Sequence, residues 1–264
     1  MSPAAPIAAT VPPAANATRV LTSILAPLEK RVLIFLAHRL PRWVNSDHLT
    51  TLALVAMLGA GLSYWMAKSH SVGLLLVVIC LAVNWFGDSL DGTVARVREQ
   101  QRPRYGFYVD HVVDAFGTAF LIGGLALSGY MSPLIALSLL VAYFMLAAEV
   151  YLATHTLGTF KMSYFKVGPT ELRIILAIGT LMLYVRPIVN FFGRQVGLFD
   201  VGGMFAIGGL VLTLIISAVS NTRRLYQMEP VPVPTREVQD FRSVGSPDFR
   251  SEKSSATCIG TSRL

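Results

Sequence analysis

Cysteine is almost missing from this chain, and charge is scarce. The two thiols, Cys80 in an apolar run and Cys258 in a polar tail, are too few and too differently placed for a disulfide framework or a thiolate metal site. Charged residues make up 14% of the chain, against about 25% in ordinary soluble domains. Hydrophobic residues reach 53% and the mean hydropathy is +0.57, so a soluble domain is excluded and an integral membrane protein is predicted. The opening residues, MSPAAPIAATVPPAANAT, lack the basic start and continuous apolar core of a signal peptide. They read as an Ala/Pro-rich disordered arm over 1–18. No nucleic-acid-reading motif accompanies the net charge of +7, whose basic residues stand at the ends of apolar segments. Membrane topology accounts for them, and no nucleic-acid partner is expected.

What is present is a series of apolar segments. Residues 19–42 place Leu21, Ile24, Leu28, Val32, Phe35 and Leu36 opposite Arg19, Lys30, Arg31 and Arg39. This predicts an amphipathic helix, kinked at Pro27, either lying on the membrane surface or packed on the rest of the protein. Spans follow from about Leu49 to Ala67, with Ser46 or Asp47 as the cap, and from Val72 to Arg96. Others begin near Tyr105 and after Pro133, the latter ending near Leu157, and the last two cover Thr170 to Val189 and Val201 to Val219. The predicted fold is therefore an all-α polytopic bundle of six transmembrane helices over 48–222, preceded by the interfacial helix. Arg and Lys concentrate before span one, after spans two, four and six, and only Lys68, Arg186 and Arg194 fall on the other side. Both termini are thus expected in the cytoplasm, at the inner membrane if the source is bacterial. Residues 227–264 are polar and without helical periodicity, which predicts a disordered tail.

Four acids interrupt this apolar pattern. Asp88 and Asp91 are three residues apart at the end of span two, and Asp110 and Asp114 four apart at the start of span three, so each pair shares a helix face. Folded as an antiparallel hairpin, Asp91 would meet Asp110 and Asp88 would meet Asp114, roughly 9 Å and 14 Å below the loop. Four neighbouring carboxylates in a low dielectric require a compensating cation. With hard oxygen donors only, Mg²⁺, Mn²⁺ or Ca²⁺ is favoured over Zn²⁺, and four carboxylates suffice for two ions gripping a diphosphate. Gly92 and Ala95 beside Asp91, and Gly106 at the head of span three, leave room for a ligand.

Asp88-x2-Asp91-Gly92-x2-Ala95-Arg96-x9-Gly106-x3-Asp110-x3-Asp114 resembles the signature of the CDP-alcohol phosphotransferases, membrane enzymes of phospholipid synthesis. The family commonly has eight residues between its Arg and Gly; this chain has nine, the extra one in a polar loop. The resemblance covers about His48 to Thr222. It implies attack of an acceptor alcohol on the β-phosphorus of a CDP-alcohol with release of CMP, one substrate being a lipid. Carried over, Asp88, Asp91, Asp110 and Asp114 look like ligands of Mg²⁺ or Mn²⁺, with Asp114 also the general base. Gly92, Ala95 and Gly106 would line the cytidine and diphosphate pocket, and Arg96, inside the signature, would bind a substrate phosphate or pair with the acids.

Other residues carry weaker signals. Asn84 shares the Asp88 face and would bond either the nucleotide or a buried neighbour. His111 lies about 100° round the helix from Asp110, which favours packing over ligation. Glu149 and His155 need partners within the bundle. Gly168-Pro169-Thr170-Glu171 makes a good helix start and also looks like the choline and ethanolamine phosphotransferase branch. Lys161, Lys166 and Arg173 would equally suit a phosphate-bearing acceptor with CDP-diacylglycerol as donor. The glycines of span three suit a homodimer as well as the bundle interior. Two rival functions use the same acids: an ion-coupled transporter, whose paired broken helices are not seen, and a metal-dependent membrane prenyltransferase.

Overall fold

The computed structural model describes residues 18–20, 26–157, 159–161, 168–229 and 231. Of the arm expected over 1–18 only Thr18 is described, in a strand, and nearly all of the tail expected over 227–264 lies outside these residues. Strand β1 (Thr18–Val20) is followed by helices α1 (Ala26–Arg39), α2 (Ser46–Ala67), α3 (Val72–Val97), α4 (Pro103–Ser128) and α5 (Pro133–Leu157). Strand β2 (Thr159–Lys161), α6 (Pro169–Val185), the hairpin β3 (Ile188–Phe191) and β4 (Arg194–Gly197), and α7 (Leu198–Met228) complete the order. The chain divides into two units, 1–225 with the bundle and 226–264, of which the end of α7 and little else is described.

Five helices, α2, α3, α4, α5 and α7, are long and apolar enough to cross a membrane, which makes this an integral multi-pass protein of all-α architecture. Their outward side chains, such as Val55, Leu62 and Trp65, are exposed in a way that only lipid would cover favourably. The fifth predicted span is shorter than expected. Pro187 disfavours helix at the residue before it, so α6 stops at Val185 after 17 residues and the chain turns into β3. Phe192 and Gly193, both at positive φ, form the two-residue turn to β4.

The N-terminal helix is also shorter than the expected 19–42. Residues 18–20 pair in parallel with 159–161 instead, and Pro27 falls in the first turn of α1, where its missing N–H costs nothing, rather than at a kink. Leu33 and Ala37 of α1 pack with Leu49, Leu90 and Val94, while Val32, Ile34 and Phe35 face outward. The cap of α2 is Asn45 rather than Ser46 or Asp47. Its extended backbone ends the preceding turn, and its N–H donates to His48 Nδ1 at 3.2 Å.

Helix α2 is the centre of the bundle, packing along both α3 and α4. Small residues allow it. A Cβ on Gly124 of α4 would come within 2.0 Å of the Gly61 carbonyl, and one on Gly87 of α3 within 2.6 Å of the Leu49 carbonyl. Close backbone approach of this kind supplies the van der Waals packing that holds helices together in lipid. Around Tyr64, whose hydroxyl meets Thr180 Oγ1 at 2.5 Å, a second cluster joins Leu74, Val77, Leu125, Leu183 and Phe199. Helix α6 runs antiparallel to α3 from the Asp88 level, where Arg173 lies, to the α2–α3 turn, where Tyr184 donates to the Ser71 carbonyl.

Candidate active site

The acid-bearing ends of α3 and α4 do not zip into a hairpin as the sequence spacing predicts. Both helices lean on α2 far more than on each other, because Gly61, Gly73, Gly87 and Gly124 draw them onto it. Asp88 and Asp91 stand on the one helix, α3, and Asp110 and Asp114 on the other, α4. Asp88, Asp91 and Asp110 are half-buried, whereas Asp114 is open to solvent although protein surrounds it on most sides. Charges on Asp88, Asp110, Asp91 and Arg173 all act on the Asp114 carboxylate, so the four acids do share one electrostatic environment.

Each acid on α3 already has protein partners. Thr50 of α2 donates to Asp91 Oδ2 at 2.6 Å, and Asp91 Oδ1 accepts the Gly92 N–H. Ser46 donates to the Asp91 carbonyl at 3.0 Å, which fixes the start of α2 against the end of α3. Arg173 of α6 bonds Asp88 through Nη2 and Asn84 Oδ1 through Nε at 2.8 Å. Asn84 in turn donates to the Ala53 carbonyl at 3.1 Å, so its buried amide is satisfied inside the protein. Among the described residues, no three His, Cys, Asp or Glu side chains converge on a common point as they stand. Carboxylates are nonetheless the donor type that a hard divalent cation takes, and Arg96 acts on Asp91 and Arg173 on Asp114.

Small residues of the signature divide by what surrounds them. A Cβ on Gly106 would meet nothing within 4 Å, and one on Gly92 only Arg96 Nη1 at 3.5 Å. Neither glycine is there to let helices touch. Ala95 is half-buried on α3, and Arg96, exposed, donates to Thr93 at 3.0 Å and acts electrostatically on Asp91. The loop arginines serve the fold. Arg98 donates to the carbonyls of Leu40 (3.1 Å), Pro41 (3.0 Å) and Val44, closing the end of α1, and Arg102 pairs with Asp47 at 2.5 Å.

His111 stacks on Phe107 with ring centroids 4.1 Å apart, and its Nδ1 lies 2.6 Å from the Phe107 carbonyl and 4.0 Å from Asp110. Tyr151 of α5 meets it edge-on at 4.7 Å. Glu149 accepts from Ser217 at 2.9 Å and Asn221 at 2.7 Å, tying α5 to α7. Thr50 carries no site signal in the sequence, and Arg173 stands out there only as a cation suited to an acceptor phosphate. Thr50 stands one helical turn after Ser46 on α2, yet nothing local marks it as a partner of Asp91, 41 residues away.

A multi-pass helical membrane protein with four acids on two of its apolar helices is the class that fold and site define. The chain matches the CDP-alcohol phosphatidyltransferase family over residues 43–215, most of its length, and belongs to that family. It is thus a membrane transferase of phospholipid biosynthesis, acting with a CDP-alcohol donor and an alcohol acceptor. No curated protein sequence matches the chain.

Proposed function

We propose that the acid-bearing ends of α3 and α4 border a recess that binds a CDP-alcohol beside Asp88, Asp91, Asp110 and Asp114, and that the protein transfers the donor's substituted phosphate to an acceptor alcohol, releasing CMP. The donor is CDP-diacylglycerol, or CDP-choline or CDP-ethanolamine, with one of donor and acceptor a lipid. The observation that supports this reading is that the charges of Asp88, Asp91 and Asp110 all act on Asp114, the four acids being carried by two helices that both pack on α2. Asp88, Asp91, Asp110 and Asp114 would hold one or two Mg²⁺ or Mn²⁺ ions. Such ions neutralise the diphosphate oxygens on which charge accumulates.

The chain's own residues supply the rest. Asp114, open to the recess, takes the proton of the acceptor hydroxyl as its oxygen bonds to the β-phosphorus. The bond from that phosphorus to the bridging oxygen breaks, and CMP carries the electron pair away. Gly92 and Gly106, with open space where a side chain would stand, leave the donor's path clear, and Ala95 and Arg96 border it. Helix α6 reaches from the acid end of α3 to its opposite end, which supports a sixth crossing despite its length. A cytoplasmic acid end is supported by the distribution of Arg and Lys.

Protein purified in detergent should release CMP from one of these donors when Mg²⁺ or Mn²⁺ is present and stop when the metal is chelated. Release that persists in excess chelator would refute the mechanism. Formation of inorganic diphosphate instead of CMP would point to prenyl transfer, and nucleotide-independent cation flux in liposomes to transport.

A further inference from the structure

A single carboxylate oxygen outside the acid recess gathers three donors from two other helices. Glu29, on the first turns of α1, accepts at Oε1 from Trp85 Nε1 (2.9 Å), Ser89 Oγ (3.0 Å) and Thr170 Oγ1 (2.8 Å). Trp85 and Ser89 are one helical turn apart on α3 and bracket Asp88. Thr170 opens α6, three residues before the Arg173 that bonds Asp88 and Asn84. Helices α3 and α6 are therefore joined by two polar ties one turn apart, and the outer one passes through a side chain of α1.

We infer that Glu29 is a positioning residue for the acid recess, holding α3 and α6 at the separation that sets Asp88 and Arg173 together. The inference rests on the reading that Asp88 serves a metal-dependent transfer. Physical chemistry gives it direction. A carboxylate accepts several hydrogen bonds at one oxygen more strongly than a neutral group does. Removing it would leave three half-buried donors unmatched at the junction of three helices. Leu33 and Ala37 already dock α1 onto α3 through apolar contact, so attachment of α1 does not by itself call for an acid at position 29.

The test uses full-length protein in lipid nanodiscs, with Mn²⁺ binding measured by titration and CMP release measured as kcat and KM. Glu29→Ala should weaken Mn²⁺ binding and lower kcat by about tenfold or more, the scale of losing support behind a metal ligand. Glu29→Gln keeps an oxygen acceptor in place and should restore most of both. Leu33→Ala, which trims the apolar docking of α1, should lower thermal stability while leaving Mn²⁺ affinity near wild type. The inference is overturned if Glu29→Gln is as impaired as Glu29→Ala, if both match wild type, or if Leu33→Ala weakens Mn²⁺ binding equally. Should Glu29→Ala fail to fold, Ser89→Ala and Thr170→Val, each removing one donor, must weaken Mn²⁺ binding or the inference fails. Wild-type protein that binds Mn²⁺ but releases no CMP would sink the transfer reading alone, since the role of Glu29 is still read from Mn²⁺ affinity.

Discussion

At the scale of single residues, the four aspartates are distinguished by their surroundings. Asp88 and Asp91 are held by Arg173 and by Thr50, whereas Asp114 is exposed. A general base must reach the proton it abstracts, and the exposure of Asp114 is compatible with the role proposed for it. Asp114→Asn should therefore cut turnover about 100-fold or more while donor binding survives. Near-normal turnover in the variant would move the base elsewhere. Arg173 illustrates a residue whose task follows from its neighbours: one basic side chain at the head of α6 meets both Asn84 and Asp88. Sequence periodicity reported that α6 begins there, but not which helix it faces.

At the scale of elements, the bundle is built by α2, and its glycines separate packing from access. Gly124 of α4 has no room for a methyl group, since its Cβ would lie 2.0 Å from the backbone of Gly61. Gly106 on the same helix has open space. Gly106→Ala should keep or raise thermal stability, by about 0.5–1 kcal/mol from reduced chain entropy, while raising KM for the donor. Gly124→Ala should instead lower the melting temperature and separate α4 from α2. Equal effects on stability would show that Gly106 packs against a neighbour after all. Helix α1 belongs to the protein as well as to its surface, because Leu33 and Ala37 are buried on α3 while Phe35 faces out.

At the scale of the whole molecule, the number of crossings decides which sides the loops occupy. If α6 crosses, the α3–α4 loop and the far end of α7 share one side, and the α2–α3 turn lies on the other. With Cys80 and Cys258 replaced by serine, cysteines placed at Gln100 and Arg224 should react with a membrane-impermeant thiol reagent from one side of sealed vesicles, and one at Ser69 from the opposite side. Labelling of Gln100 and Arg224 from opposite sides would reduce the count to five. The five long apolar helices were legible in the sequence because lipid imposes a length and composition on any helix that crosses it. The end of α6 was not, since its apolar residues continue past Val185 and only Pro187 and the hairpin register stop the helix.

By itself the sequence determined the membrane class, the family, and which four acids lie on which helix faces, since each of these depends on composition or on spacing within one segment. Tertiary structure decided how those faces are used. Backbone contacts at Gly61, Gly87 and Gly124 pull α3 and α4 onto α2, so the two acid-bearing helices pack on α2 rather than on each other. Partners from distant segments, Thr50, Arg173 and Glu29, hold or support the acids on α3. Such pairings carry no local signature, because they depend on distances between helices that only packing sets.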